Sequence, residues 1–213
     1  MQGTQGLETR WRRRKNARPQ EILDAALAEF AARGFAAARM DDIAARAGVT
    51  KGTVYLYFQS KEDLFKSLVR ESIGAAIEAR MADARNFEGR SSELLRLVLR
   101  AIGFFARTSD RAVLPKIVMA EAGNFPELLR FYRAEVVDKG LSLLSSIVTR
   151  GIARGEFRKL EPQHVARLCI APLLFAVFWR SSFAAQDAVP YDLEGFIETH
   201  IDVLLKGLGP HEG

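Results

Sequence analysis

The residues of this chain best suited to chemistry crowd into one stretch, Asp42 to Phe58, which reads DIAARAGVTKGTVYLYF. Lys51, Gly52, Thr53, Tyr55, Leu56 and Tyr57 offer a surface that is basic, polar and aromatic. Carried on one short helix with a free N-terminus, such a surface suits the major groove of a DNA duplex. Bond-making chemistry has no comparable cluster. The chain holds no glycine-rich phosphate loop, no Gly-x-Ser-x-Gly elbow and no His-Glu-x-x-His. His164 and Cys169 stand five residues apart, on roughly opposite faces of an expected helix, and His200 and His211 are isolated. The expectation is a non-enzyme without cofactor or metal site.

A reading helix needs a scaffold. Met40, Ile43, Ala44 and Ala47 share one face of a short helix, and Gly48 with Val49 makes a tight turn after it. Thr50 can cap the next helix, Lys51 to Tyr57, whose inner face is Val54 and Phe58. The turn is too brief for the two helices to lie antiparallel, so they must cross steeply. Ala44 and Ala47 are small enough for close approach, while Val49 and Val54 fill the angle. Upstream, Pro19 suits a first helical position. Ile22, Leu23, Ala26, Leu27 and Phe30 then recur at helical spacing until Arg33-Gly34. Downstream, Ser60 with Asp63 and Leu64 forms a variant capping box that opens a long helix towards Arg85.

Charge supports the same division. Residues 1–70 hold 13 Lys+Arg against 8 Asp+Glu, whereas residues 71–213 hold 18 against 18. All of the +5 excess therefore sits at one end, as expected of a polyanion-binding module joined to a neutral body. Residues 1–18, with Arg10, Arg12, Arg13, Arg14, Lys15 and Arg18, are expected to form a flexible basic arm. Cys169 is the single cysteine, which excludes a disulfide framework and a multi-thiolate zinc site and suits the cytoplasm. No signal peptide is visible, and the apolar run Leu168 to Trp179 falls short of the roughly 20 residues of a membrane span. No membrane association is expected.

The remainder reads as successive helices near Ser92–Thr108, Arg111–Ala122, Pro126–Arg154, Pro162–Ala184 and Asp192–Leu208, giving an all-α protein. Three segments are expected: an arm over 1–18, a helix-turn-helix domain over 19–66 and a helical body over 67–213. The helix containing Leu168, Leu173 and Val177 is apolar nearly all round, and the last helix has a broad apolar face, so together they suit a homodimer interface. An effector pocket is expected among Phe104, Phe105, Met119, Phe131, Phe175, Phe178 and Trp179, because aromatics and Met suit an apolar cavity.

Gly34-Phe35, Met40 to Ala44, Ala47 to Phe58 and Lys61 to Leu64, in unbroken order over residues 19–66, strongly resemble the N-terminal domain of the tetracycline-repressor (TetR) family. The resemblance implies a regulator, by family habit a repressor, released from a palindromic operator by a small apolar or aromatic effector. By resemblance Lys51 and Thr53 correspond to base readers, which fits their chemistry: an ammonium suits guanine O6 and N7, and a threonine can touch a thymine methyl. Gly52 lets the backbone approach DNA, and Leu56 is outward. Tyr55, Tyr57 and Lys61 correspond to phosphate contacts, and Thr50 belongs to the same surface. The family's usual Thr-Thr pair is replaced by Ala38-Arg39. A hydroxyl cap is thereby lost, and Arg39 takes its place as a charged phosphate contact.

Overall fold

The computed structural model describes residues 4–210, with side chains from residue 18 onward. Every regular element among the described residues is helical. Helix α1 spans Thr4–Ala37, α2 Met40–Arg46, α3 Lys51–Tyr57 and α4 Lys61–Val69. The body follows with α5 Ala75–Arg85, α6 Ser91–Thr108, α7 Leu114–Glu121, α8 Pro126–Tyr132, α9 Lys139–Ala153, α10 Pro162–Ser182 and α11 Leu193–Leu208. A π-helical turn, Arg70–Gly74, joins α4 to α5, and another, Arg133–Asp138, joins α8 to α9. The two π-turns pack against each other.

Where the sequence suggests a loose arm, α1 begins at Thr4 and runs through Pro19. Arginine, lysine and glutamine are good helix formers, and an internal proline removes only one backbone bond, although it strains the turn before it. The side chains of Arg10 to Lys15, together with His211, lie outside the described residues. At its other end, α1 is broken by Gly34, which adopts φ 79°, a conformation open to glycine and costly for residues with a Cβ.

Among the described residues two large apolar cores are accompanied by a small third cluster of Ala106, Ala112 and Val177. The first joins Phe30 and Phe35 of α1, Ile43 of α2, Val54 of α3 and Phe65 of α4 to Leu114 and Ile117 of α7 and Leu128 of α8. Its centre is aromatic: the Phe35 ring lies 5.2 Å from Phe30, 5.8 Å from Phe65 and 4.9 Å from Phe125, within the range of favourable ring pairs. The second core belongs to α6, α9, α10 and α11, with Leu95, Leu99, Val148, Cys169 and Ile201 at its centre. Packing therefore does not part at residue 66, since α7 and α8 complete the core of the N-terminal helices. Helix α10 is the one described helix long and apolar enough to cross a membrane by length and composition. It packs on α6, α9 and α11, and it carries Arg167 and Arg180.

Candidate nucleic-acid interface

The site is assembled from the inside of α1 outward. Glu29 is only 3% exposed and ion-pairs with Arg33 at 2.9 Å and with Arg46, the last residue of α2, at 3.4 Å. Arg33 also reaches Asp42 at 3.4 Å. This charged network fixes α2 along α1, and losing its exposed arginines would leave the buried Glu29 carboxylate uncompensated. Gly48, with φ 65°, then reverses the chain, and Thr50 caps α3 by accepting from the Thr53 amide at 3.2 Å. The Thr50 and Thr53 hydroxyls lie 2.9 Å apart. Val54 is buried, which turns the opposite face of α3 to solvent.

That outward face holds the residues expected there. Leu56 is 81% exposed, Tyr55 is exposed, and Lys51 and Gly52 are exposed at the helix start. Thr53 and Tyr57 are half-buried, the Tyr57 ring lying 6.5 Å from Phe58. Lys51 is not free: its Nζ is 2.9 Å from Asp41 Oδ1. The ion pair holds the Asp41 carboxyl below the usual carboxylate range and raises the Lys51 ammonium, each chiefly through the hydrogen bond to the other. Arg39, the N-cap residue of α2, makes no side-chain cap and stands exposed with Asp41 Oδ2 at 4.0 Å. The lost hydroxyl cap is thus visible in the structure, and Asp41 and Asp42 in the first turn of α2 offset it through the helix dipole.

Lys61 departs from the expected arrangement. Its Nζ donates to the carbonyls of Phe35 and Ala36, each at 2.9 Å, and reaches that of Ala38 at 3.5 Å. It also lies 4.8 Å from the centroid of the Phe35 ring. An ammonium has three donors, and here they close the open C-terminal end of α1 instead of facing outward to a phosphate. The sequence does not announce the pairing of Glu29 with Arg46, of Asp41 with Lys51 or of Glu121 with the Ala36 amide, since the partners come from different elements.

Residues 22–68 match the family described as "Bacterial regulatory proteins, tetR family", and residues 89–190 match the "Tetracyclin repressor-like, C-terminal domain". Head and body thus match two parts of the same family, in order. The chain belongs to the TetR family. It is accordingly a ligand-responsive, DNA-binding transcriptional regulator. Among its relatives is the fatty acid metabolism regulator protein of Bacillus subtilis, 28% identical over 91% of this chain and 98% of that protein. The crystal structure of Bacillus subtilis FadR in complex with stearoyl-CoA superposes with a TM-score of 0.72 at 27% identity, covering 89% of this chain and 98% of that one. The ketosteroid regulator KstR2 of Mycobacterium tuberculosis gives 0.71 at 25% identity, covering 92% and 97%.

The seven residues expected to line an effector pocket are not brought together in the body. Phe104 and Met119 are 61% and 64% exposed. Phe131 packs against the first core beneath Lys66 and Arg70, whereas Phe105 packs near Ala106 and Val177. Phe175 and Trp179 do meet, at 5.7 Å, in a surface aromatic row continuing to Phe183 and Tyr191. Phe178 is half-buried one residue away. Aromatic periodicity marks an apolar face but does not say which neighbour covers it. A cleft of about 950 Å³ lies elsewhere, between α1 and the body, lined by Gln20, Asp24, Leu27, Arg111, Val113 and Arg180. It is bridged by the Arg111–Asp24 ion pair at 3.0 Å.

Proposed function

We propose that this regulator is a homodimeric, cytoplasmic repressor that places α3 of each protomer in successive major grooves of a palindromic operator. The observation that carries the reading is the geometry of α3: Val54 anchors it, Thr50 caps it, and Lys51, Gly52, Tyr55 and Leu56 are exposed with Thr53 half-buried beside them. Thr50 and Arg39 flank the same surface, and Tyr57 lies at its edge. Lys61 supports the interface from behind, by holding the end of α1. Recognition by a seven-residue helix is weak alone, so a palindrome read by a dimer is the arrangement that yields specificity.

The dimer reading rests on outward apolar side chains of α10 and α11. Leu168 is 61% and Phe175 50% exposed on α10, and Val203 is exposed on α11. Leu168 and Phe175, seven residues apart, share one face of α10, and exposed apolar side chains on a common face suit an interaction surface. The effector we infer is a molecule with a large apolar part. Two lines of support are the near full-length similarity to the fatty acid regulator and the stearoyl-CoA bound by the superposed FadR. No step of this function calls for catalysis.

Selection of binding sites from a random duplex library tests the reading directly. The expected result is an inverted repeat whose half-sites lie about 10–10.5 base pairs apart, or a multiple of that. Recovery of a single unpaired half-site, or of no sequence preference, overturns it.

A further inference from the structure

Two of the cations turned to DNA in this reading share one carboxylate. Asp41 Oδ1 is 2.9 Å from Lys51 Nζ, and Asp41 Oδ2 is 4.0 Å from Arg39 Nη2. The adjacent Asp42 serves differently, turning towards Arg33 of α1. Asp41 is exposed and its ion pairs run outward along the interface. We propose that Asp41 is a specificity-determining residue, an internal counter-anion that keeps Lys51 from adding to nonspecific affinity. The inference rests on the docking of α3 proposed above.

The physical argument compares two kinds of DNA. Any duplex attracts free cations through its phosphates, and each cation so engaged releases counterions regardless of sequence. Lys51 already has an anion at hydrogen-bond distance, so exchanging Asp41 for a phosphate gains little. A correct base edge presents acceptors that an ammonium can meet within the groove, and only there is leaving Asp41 compensated by direct readout. By occupying Lys51, Asp41 thus lowers affinity for wrong DNA more than for right DNA, which is specificity by a competing internal partner.

The test is fluorescence anisotropy of the full-length protein on the selected inverted repeat and on a scrambled duplex of equal length, over a series of KCl concentrations. The proteins are wild type, Asp41→Asn, Asp41→Glu, Lys51→Ala and the double variant Asp41→Asn/Lys51→Ala. Asp41→Asn should tighten the scrambled duplex about 3- to 10-fold, change the repeat by less than about 3-fold, and steepen the salt dependence on scrambled DNA by about one released counterion. Asp41→Glu, which keeps the charge, should resemble wild type. In the Lys51→Ala background the effect of Asp41→Asn should fall below about 2-fold, because the released cation is missing. Equal tightening of both duplexes, or undiminished tightening without Lys51, overturns the proposal, since either is plain charge repulsion. If Lys51→Ala weakens the repeat while Asp41→Asn changes nothing, the inference fails and α3 docking stands. If Lys51→Ala binds the repeat like wild type, the docking reading itself fails.

Discussion

Glu121 Oε1 accepts a hydrogen bond from the Ala36 amide at 3.0 Å, joining the last residue of α7 to the turn that leads into α2. Glu121 Oε2 accepts from Asn124 Nδ2 at 3.3 Å, so both oxygens are held, and the residue is 9% exposed. Ala36 is the point where three elements meet: Gly34 breaks α1 just before it, Lys61 of α4 grips its carbonyl, and Glu121 holds its amide. The contact therefore joins α7 directly to the segment that enters the helix-turn-helix.

Glu121→Ala should destabilise the protein and weaken DNA binding together. It removes the part-buried hydrogen bond to the Ala36 amide, a contact worth about 0.5–1.5 kcal/mol. In a chain of this length that corresponds to a fall in melting temperature of roughly 2–4 °C per kcal/mol. Calorimetry and circular dichroism read the effect. A variant that melts with the wild type would show the contact to be incidental.

Lys51→Ala and Lys61→Ala should separate cleanly, although both remove one cation near α3. Loss of Lys51 should cost about 1–3 kcal/mol at the cognate site and relax preference at one base position, with an unchanged melting temperature. Loss of Lys61 uncaps the carbonyls of Phe35 and Ala36 and removes a cation from above the Phe35 ring. It should lower stability and leave the slope of log affinity against log salt nearly unchanged. A slope reduced by about one counterion in Lys61→Ala would return that residue to the phosphate surface.

The contrast between these two lysines shows where sequence reading reaches. Caps at Thr50 and Ser60 were legible because donor and acceptor lie three residues apart; helix starts and the glycine turn at Gly48 are local in the same sense. The partners of Lys61 lie 23 to 26 residues upstream, and Glu121 finds its partner 85 residues away. No periodicity reports such meetings. The aromatic pocket failed for a related reason, since spacing identified apolar faces while their covering depended on how α6, α7 and α10 are arranged. Pro19 reads locally as the first residue of a helix, whereas α1 begins at Thr4 and continues through it, because the good helix formers before it carry the helix past one lost backbone bond.

Cys169 should be inert in the native protein. It is fully buried in the body core, and burial pushes its thiol up to about 12. The thiolate is the reactive form, and a raised value keeps the group protonated throughout the range from pH 7 to pH 9. A disulfide reagent at pH 8 should therefore label it slowly until guanidinium unfolds the chain, after which one thiol per chain reacts. Fast labelling of folded protein would contradict the burial.

The helices α10 and α11 should hold the dimer. Sedimentation at micromolar concentration should return twice the 23.7 kDa chain mass. Phe175→Glu and Leu168→Glu place a charge on an already exposed position, so each should leave the monomer folded and shift it out of the dimer. Their operator affinity should fall with it, because half-site binding loses the second contact. Dimers that persist unchanged in both variants would move the interface to another face.

Effector binding should weaken operator binding through the junction at Ala36. Two recognition helices must lie about 34–36 Å apart to enter successive major grooves, so a shift of a few ångströms in either head spoils simultaneous docking. The α1 end of each head is tied to the body by Glu121, and the Arg111–Asp24 pair ties the same helix further along. A ligand that moves α7 or the segment before it thus moves α1 and α2 as one piece with the aromatic core around Phe35. Stearoyl-CoA is the first probe, by similarity to the FadR that binds it. Titration calorimetry with and without operator should show a coupling of about 1–3 kcal/mol, and linkage requires that operator weaken stearoyl-CoA binding by the same factor. Glu121→Ala should bind stearoyl-CoA as tightly as wild type in the absence of DNA and show a smaller coupling, which separates loss of transmission from loss of the site. Identical stearoyl-CoA affinity with and without operator would sink the coupling, and no binding at all would place the effector in another chemical class.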